Sequence, residues 1–243
     1  MTETPRIRTV GLSGLLVSFG TSMSEPANRA ALAFRAALEA QEWPEVRESM
    51  MSLVSVFVAV DLVTTPAEAT TEKLQVLLET QDWYEAALPA GRTLLHVPTL
   101  YGTDLAPQLE EAAEVAGLDP DEAIRLLSTS RVRVLTLGFA PGQPYLGELP
   151  EVWNIPRQQN LTKSVPTGAL VVAIRQLITF TAPTPTGWRH IGQTAFRNFV
   201  LEAEHPFALS PGDELIFPSI DRAAFDKIDP SDRFGAADRE MIA

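Results

Sequence analysis

Seven prolines fall between Pro141 and Pro185, with glycines set among them. Proline has no backbone N–H to give to a ladder, so it stands at strand ends, edges and bulges. A chain interrupted this often cannot run long central strands. It folds as many short strands, the arrangement of a small barrel. The apolar runs between the interruptions agree, and they predict strands over residues 132–137, 169–174, 177–181, 198–201 and 214–217.

The first ninety residues read differently. Residues 15–19 form a short apolar run closed by Gly20, and Ser24 then offers an N-cap with Pro26 in the first turn. Ala30, Ala31, Phe34, Ala37 and Leu38 follow at helical spacing and make one apolar stripe. Residues 54–60 are rich in β-branched side chains and read as a buried strand. Thr65-Pro66-Ala67-Glu68 resembles a capping box ahead of Leu74, Leu77 and Leu78, and residues 94–97 read as a returning strand. Strand, helix, strands, helix, strand fits a ferredoxin-like sheet with two helices on one face; a generic α+β sandwich with another strand order fits as well. Between the halves, residues 104–128 hold two short helices, the first ended by Gly117 and the second opened by Asp119-Pro120.

The chain has 243 residues, a net charge of −12 and no cysteine. Negative charge repels phosphate backbones and anionic lipid, so neither nucleic acid nor membrane is an expected partner. Without cysteine there is no disulfide and no thiolate chemistry. The first residues show no basic stretch followed by an apolar one, and a cytoplasmic location is expected. His96, His190 and His205 are the only histidines and lack paired-ligand spacing, so no metal site is expected. No Gly-x-x-x-x-Gly-Lys-Ser/Thr is present, so the chain carries no P-loop.

The densest unusual stretch is Gly138-Phe139-Ala140-Pro141-Gly142-Gln143-Pro144-Tyr145-Leu146-Gly147. Glycines let another group approach the backbone, and prolines hold a loop without entropy loss on binding. A loop stiffened only for folding would look the same. Ile155-Pro156-Arg157, Val165-Pro166-Thr167-Gly168 and Gly187-Trp188-Arg189-His190-Ile191-Gly192 share this character. Arg157, Arg175 and Arg189 could converge to grip a carboxylate or phosphate through forked hydrogen bonds; alternatively each pairs with one of the 31 acidic residues. His190, beside Arg189, is either a barrel residue or a base.

These four segments, in this order and followed by Ser210-Pro211-Gly212-Asp213, resemble the family of carboxyltransferase domain C/D type. That family includes the B subunit of 5-oxoprolinase, the KipI-type inhibitor of a sporulation histidine kinase, and proteins labelled allophanate hydrolase subunit 1. The resemblance covers roughly residues 5–220. It implies a cyclophilin-like β-barrel after a small α+β domain. The expected division is a ferredoxin-like domain over 1–90, a cyclophilin-like barrel over 91–225 and an acidic mobile tail over 226–243.

The resemblance further implies a subunit of an ATP-dependent amide or lactam hydrolase that opens 5-oxoproline to glutamate. ATP is the expected cofactor, bound by or with a partner. The expected partners are a carboxyltransferase-like C subunit and a separate A subunit. The expected catalytic residues are His190 and Arg189, and the expected substrate-binding residues are Gln143, Tyr145, Arg157, Arg175, Gln176 and Trp188. The alternative is a regulatory binding protein, such as a histidine-kinase inhibitor working through the barrel cleft. The chain departs from the family pattern at Leu127, Gln143, Ile174 and Thr186, the second of these standing where an aromatic residue is usual.

Overall fold

The computed structural model describes residues 4–242 and divides into two compact units, one ending at Ala90 and one beginning at Gly91. In the first, strands β1 (Arg6–Val10), β2 (Gly14–Ser18), β3 (Glu48–Ser52) and β4 (Ser55–Ala59) form an antiparallel sheet in the order β1-β2-β4-β3. Helix α1 (Glu25–Glu39) lies between β2 and β3, and helix α2 (Ala67–Leu78) follows β4. Period-two alternation turns Leu15, Val17, Val56 and Val58 toward one face, where Ala30, Ala31, Phe34 and Leu38 of α1 and Leu74 of α2 bury them. Phe34 meets the ring of Trp83 edge-on at 5.2 Å. Burying a side chain of that size contributes about 1.5–3 kcal/mol. Ser24 caps α1 by accepting from the Ala27 N–H. The capping box expected ahead of α2 does not form; Pro66 is the N-cap residue and makes no side-chain cap.

The ferredoxin-like closure expected from the pattern is not seen. The edge position beside β2 is taken by β1, and the returning strand β5 (Arg92–His96) pairs in the sheet of the second unit. Its apolar run marks it as a strand but does not say which sheet receives it.

In the second unit β5 is followed by β6 (Thr99–Tyr101), α3 (Leu109–Ala116), α4 (Pro120–Thr129), β7 (Val132–Leu137) and β8 (Pro144–Gly147). Then come β9 (Thr162–Val165), β10 (Ala169–Ala173), β11 (Gln176–Thr179), β12 (Thr184–Thr186), β13 (Arg189–Thr194), β14 (Glu214–Ile216), α5 (Arg222–Phe225) and β15 (Asp238–Ile242). Nine strands form one sheet in the order β15-β5-β14-β7-β8-β11-β10-β13-β6, while β9 and β12 make a separate two-stranded ribbon. The long sheet curls into a half-barrel of the kind a cyclophilin-like domain has. Just past β14 the chain returns to β6: Thr99 N–H donates to Pro218 O and Ile220 N–H donates to Thr99 O, both at 2.9 Å.

The segment expected as a mobile tail supplies β15, paired antiparallel with β5 over five residues. Residues 198–201, expected as a strand, make only an isolated bridge from Phe199 to Phe207.

Two cores sit on the two faces of β10 and β11. Leu170, Val172 and Leu177 point into the main core with Trp153, Phe196 and Phe217. Val171, Ala173 and Ile178 point the other way, into a smaller core with Val165, Phe180 and Trp188. Covering both faces explains why these strands read as unbroken apolar runs. The Ser210–Asp213 motif is a staple: Asp213 accepts from the Thr93 N–H at 2.8 Å, the Thr93 hydroxyl at 2.9 Å and the Ser210 N–H at 2.7 Å. Beside it the buried Glu214 is held between Arg92 and Arg131. No described helix is long and apolar enough to cross a membrane.

Candidate functional site

The loop between β7 and β8 folds back on itself. Gly138 N–H donates to Gln143 O at 3.0 Å and Gln143 N–H donates to Ala140 O at 3.1 Å. Gly142 has φ +69°, and a Cβ there would stand 3.0 Å from Phe199 Cβ and 3.1 Å from Asn198 O, so glycine is the residue the site admits. Asn198 is anchored in turn by a buried exchange with Thr179, donating through Nδ2 to Thr179 O at 2.8 Å and accepting from its hydroxyl at 3.1 Å. This pinning turns Gln143 inward, to 1% exposure, and leaves Phe139 at the loop tip with φ +72° and 78% exposed.

Opposite the loop, Gln158 clamps the strap after Ile155-Pro156-Arg157. Its N–H donates to Gly187 O at 2.7 Å and its Nε2 to Trp188 O at 3.0 Å, while its Oε1 accepts from Gln108 Nε2 at 2.8 Å. The clamp sets the Arg157 guanidinium over the Trp188 ring, 5.2 Å from its centroid. Tyr145 meets the same ring edge-on at 6.4 Å. Trp188 is itself buried in the smaller core.

Together these elements enclose a cleft of about 290 Å³ lined by Phe139, Gln143, Tyr145, Arg157, Gln158, Leu161, Ile178, Phe180, Pro185, Thr186, Gly187 and Trp188. Its floor is apolar and aromatic. Its chemistry comes from a buried amide, a phenol and an exposed guanidinium, the composition of a small-molecule site. Among the described residues Arg157 has no carboxylate partner. Its charge is free to meet an anion, and the ring beneath it fixes where that charge stands.

The structure thus brings Gln143, Tyr145, Arg157 and Trp188 into one cleft and leaves four other expected site residues out of its lining. Arg189 donates through Nε to Glu111 at 2.9 Å and through Nη1 to Pro156 O at 2.7 Å. Arg175 sits in the β10–β11 turn, donates to Leu149 O at 2.9 Å and pairs with Glu151 at 3.0 Å and Glu148 at 3.6 Å. The expected convergence of three arginines does not occur, because two of them have carboxylate partners close at hand. Gln176 is buried in β11, beside Gly147. His190 is 4% exposed; its N–H donates to Gln108 Oε1 at 3.0 Å. Burial pushes the His190 pKa below its ordinary value, against hydrogen bonds to the Gly192 backbone and the Gln193 side chain that pull it up. A neutral imidazole follows at neutral pH.

Sequence reasoning passed over Phe139, Gln158 and Leu161. Phe139 and Gln158 stand in or next to motifs already singled out; nothing local marks Leu161.

A larger cavity of about 580 Å³ is lined by residues that include His205, Phe207, Ser210, Asp213 and Arg233. Two of its charged groups are already occupied, while Glu204 and Arg239, also in its lining, have no ion-pair partner among the described residues. Asp213 serves as the staple described above, and Arg233 donates to His205 O at 2.7 Å and Pro206 O at 3.0 Å. The smaller cleft is the candidate site because it gathers Gln143, Tyr145, Arg157 and Trp188 from three of the singled-out segments.

Residues 5–209 match the family model described as carboxyltransferase domain, subdomain C and D. A Bacillus subtilis (strain 168) protein, named as the B subunit of 5-oxoprolinase, is 29% identical over 231 residues, covering 90% of this chain and 95% of that protein. The crystal structure of TTHA0988 superposes with a TM-score of 0.71 at 27% identity, covering 89% of this chain; this chain spans 40% of that one. The Kluyveromyces lactis urea amidolyase superposes at 0.75 with 15% identity, covering 99% of this chain and 16% of that one, a likeness of fold. On the extent of the family match, the chain belongs to the carboxyltransferase subdomain C and D family.

Proposed function

We propose that this chain is the substrate-binding subunit of an ATP-dependent amide or lactam hydrolase of 5-oxoprolinase type. The observation that carries the reading is a single cleft joining the amide of Gln143, the phenol of Tyr145 and the free guanidinium of Arg157 over an aromatic floor. The relative named as a 5-oxoprolinase B subunit, aligned over nearly the whole chain, supports it.

The chemistry has a clear logic. A lactam carbonyl is a poor electrophile, and phosphorylating its oxygen makes ring opening by water feasible. Arg157 suits the substrate carboxylate, because a guanidinium forks onto two oxygens. A cleft of about 290 Å³ with one free guanidinium does not fit a nucleoside triphosphate. The reading therefore assigns ATP to the partner subunits and routes no step of phosphoryl transfer through this chain. Those partners are a carboxyltransferase-like C subunit and an A subunit, and the place of action is the cytoplasm.

The test is co-expression with those two subunits and assay of ATP-dependent glutamate release from 5-oxoproline. Turnover that requires this chain supports the reading; none from a well-folded complex removes it.

The exposed Phe139 and Leu161 on the rim favour a second reading, a regulatory binding protein that seats a partner segment on the cleft. Binding of an isolated histidine-kinase domain, lost in Tyr145→Ala, would support that reading over the first.

A further inference from the structure

Gln143 is buried to 1% exposure, and its Oε1 accepts no hydrogen bond from any described residue. The backbone cannot relieve this, since both its N–H and its carbonyl are engaged within the loop. A buried polar atom without a partner is costly, and a ligand in the adjoining cleft can supply the missing bond. Gln143 lines the cleft together with Tyr145, Arg157 and Trp188, so a ligand seated there is the group nearest its amide.

We propose that Gln143 is the specificity-determining residue of the cleft. It reads a cis amide (a primary carboxamide, a urea end or a lactam) in a ligand whose carboxylate meets Arg157. The inference rests on the cleft being a substrate site of an amide hydrolase. A cis amide presents its N–H and its C=O on the same side, so it can donate to Oε1 and accept from Nε2 at once. A linear secondary amide is trans and presents them on opposite sides. A lactone has no N–H and leaves the Gln143 oxygen orphaned, the kind of mismatch a polar site rejects strongly. Arg157 supplies the second anchor, held above the Trp188 ring.

The experiment measures dissociation constants by NMR titration of the full chain with 5-oxoproline, the lactone of the same skeleton, N-methyl-5-oxoproline and succinamate. Wild-type protein should bind 5-oxoproline about tenfold or more tightly than the lactone or the N-methyl compound. Gln143→Leu should erase that ratio, and Arg157→Ala should weaken all four compounds alike. Thermal unfolding checks that Gln143→Leu is folded, and Gln143→Met, unbranched and of similar length, gives the same reading if it is not. Equal affinities in the wild type, a ratio that survives in the folded variants, or no binding of any of the four overturns the inference. Tight, Gln143-dependent binding of succinamate, together with no turnover of 5-oxoproline by the assembled complex, upholds it and removes the hydrolase reading. Turnover of 5-oxoproline unchanged by Gln143→Leu does the reverse.

Discussion

The Arg189 guanidinium donates through Nε to Glu111 at 2.9 Å, tying the start of β13 to helix α3, while its side chain is only 8% exposed. Its Nη1 reaches Pro156 O, one residue before the cleft guanidinium of Arg157. Arg189 therefore positions the strap that carries Arg157. Removing it orphans the Pro156 carbonyl and unpairs Glu111. Arg189→Ala is expected to lower stability by about 1–3 kcal/mol, mainly from the orphaned Pro156 carbonyl, since Glu111 is half exposed and water can take over its charge. Arg189→Lys should recover part of this, since an ammonium lacks the fork. Urea unfolding of the three proteins checks it. A loss of activity with stability unchanged would make Arg189 a residue of the reaction instead.

Arg157 and Trp188 touch each other but should respond in opposite ways. Arg157 is exposed, and its contact with the ring is worth less than about 1 kcal/mol, so Arg157→Ala should fold normally and lose anion binding. Trp188 is buried in the smaller core, and Trp188→Ala should cost about 3–5 kcal/mol. Thermal unfolding beside a ligand titration separates the two effects.

Gly168 has φ +77°, and a Cβ there would lie 2.3 Å from Thr194 O. The neighbouring β10–β13 contact has no slack, because Gly168 O accepts from both the N–H and the hydroxyl of Thr194. Gly168→Ala combines left-handed strain with backbone overlap and should cost about 3 kcal/mol or more, read as a lowered midpoint in urea.

His190 gives the protein a pH dependence of definite sign. Burial depresses its folded pKa below the ordinary 6.5, so the unfolded chain binds the proton more readily. The stability contributed by neutral His190 is fully present above 6.5. It is lost as pH falls from 6.5 through the depressed folded value, and the loss then levels off. Denaturant unfolding at about pH 7.5 and about pH 5 should show a smaller difference in His190→Gln than in the wild type. Equal differences would show that His190 takes up its proton in the fold as easily as outside it.

Local chemistry made much of this legible beforehand. Ser24 and Asp119 cap the helices their spacing announced, Gly117 ends α3 in the left-handed region, and residues 132–137 form β7. Partner choice was not legible. Arg92–His96 reads as a strand in any sheet, and only the long-range pairing with β14 and β15 assigns it. The same limit applies to the site. Arg157, Arg175 and Arg189 are equivalent in sequence, and what separates them is whether the fold brings Glu111, Glu148 or Glu151 within reach. Edge strands with few apolar residues, β1 and β15 among them, lack the alternation that would announce them.

The central claim is that one cleft, and not the larger cavity beside His205 and Arg233, receives the ligand. Chemical-shift mapping of the isotope-labelled full chain during titration with 5-oxoproline tests it most directly. The account predicts perturbations centred on Gln143, Tyr145, Arg157, Gln158 and the Trp188 indole, abolished in Arg157→Ala. Shifts centred on His205, Ser210 and Arg233, or no shifts at saturating ligand, would contradict it.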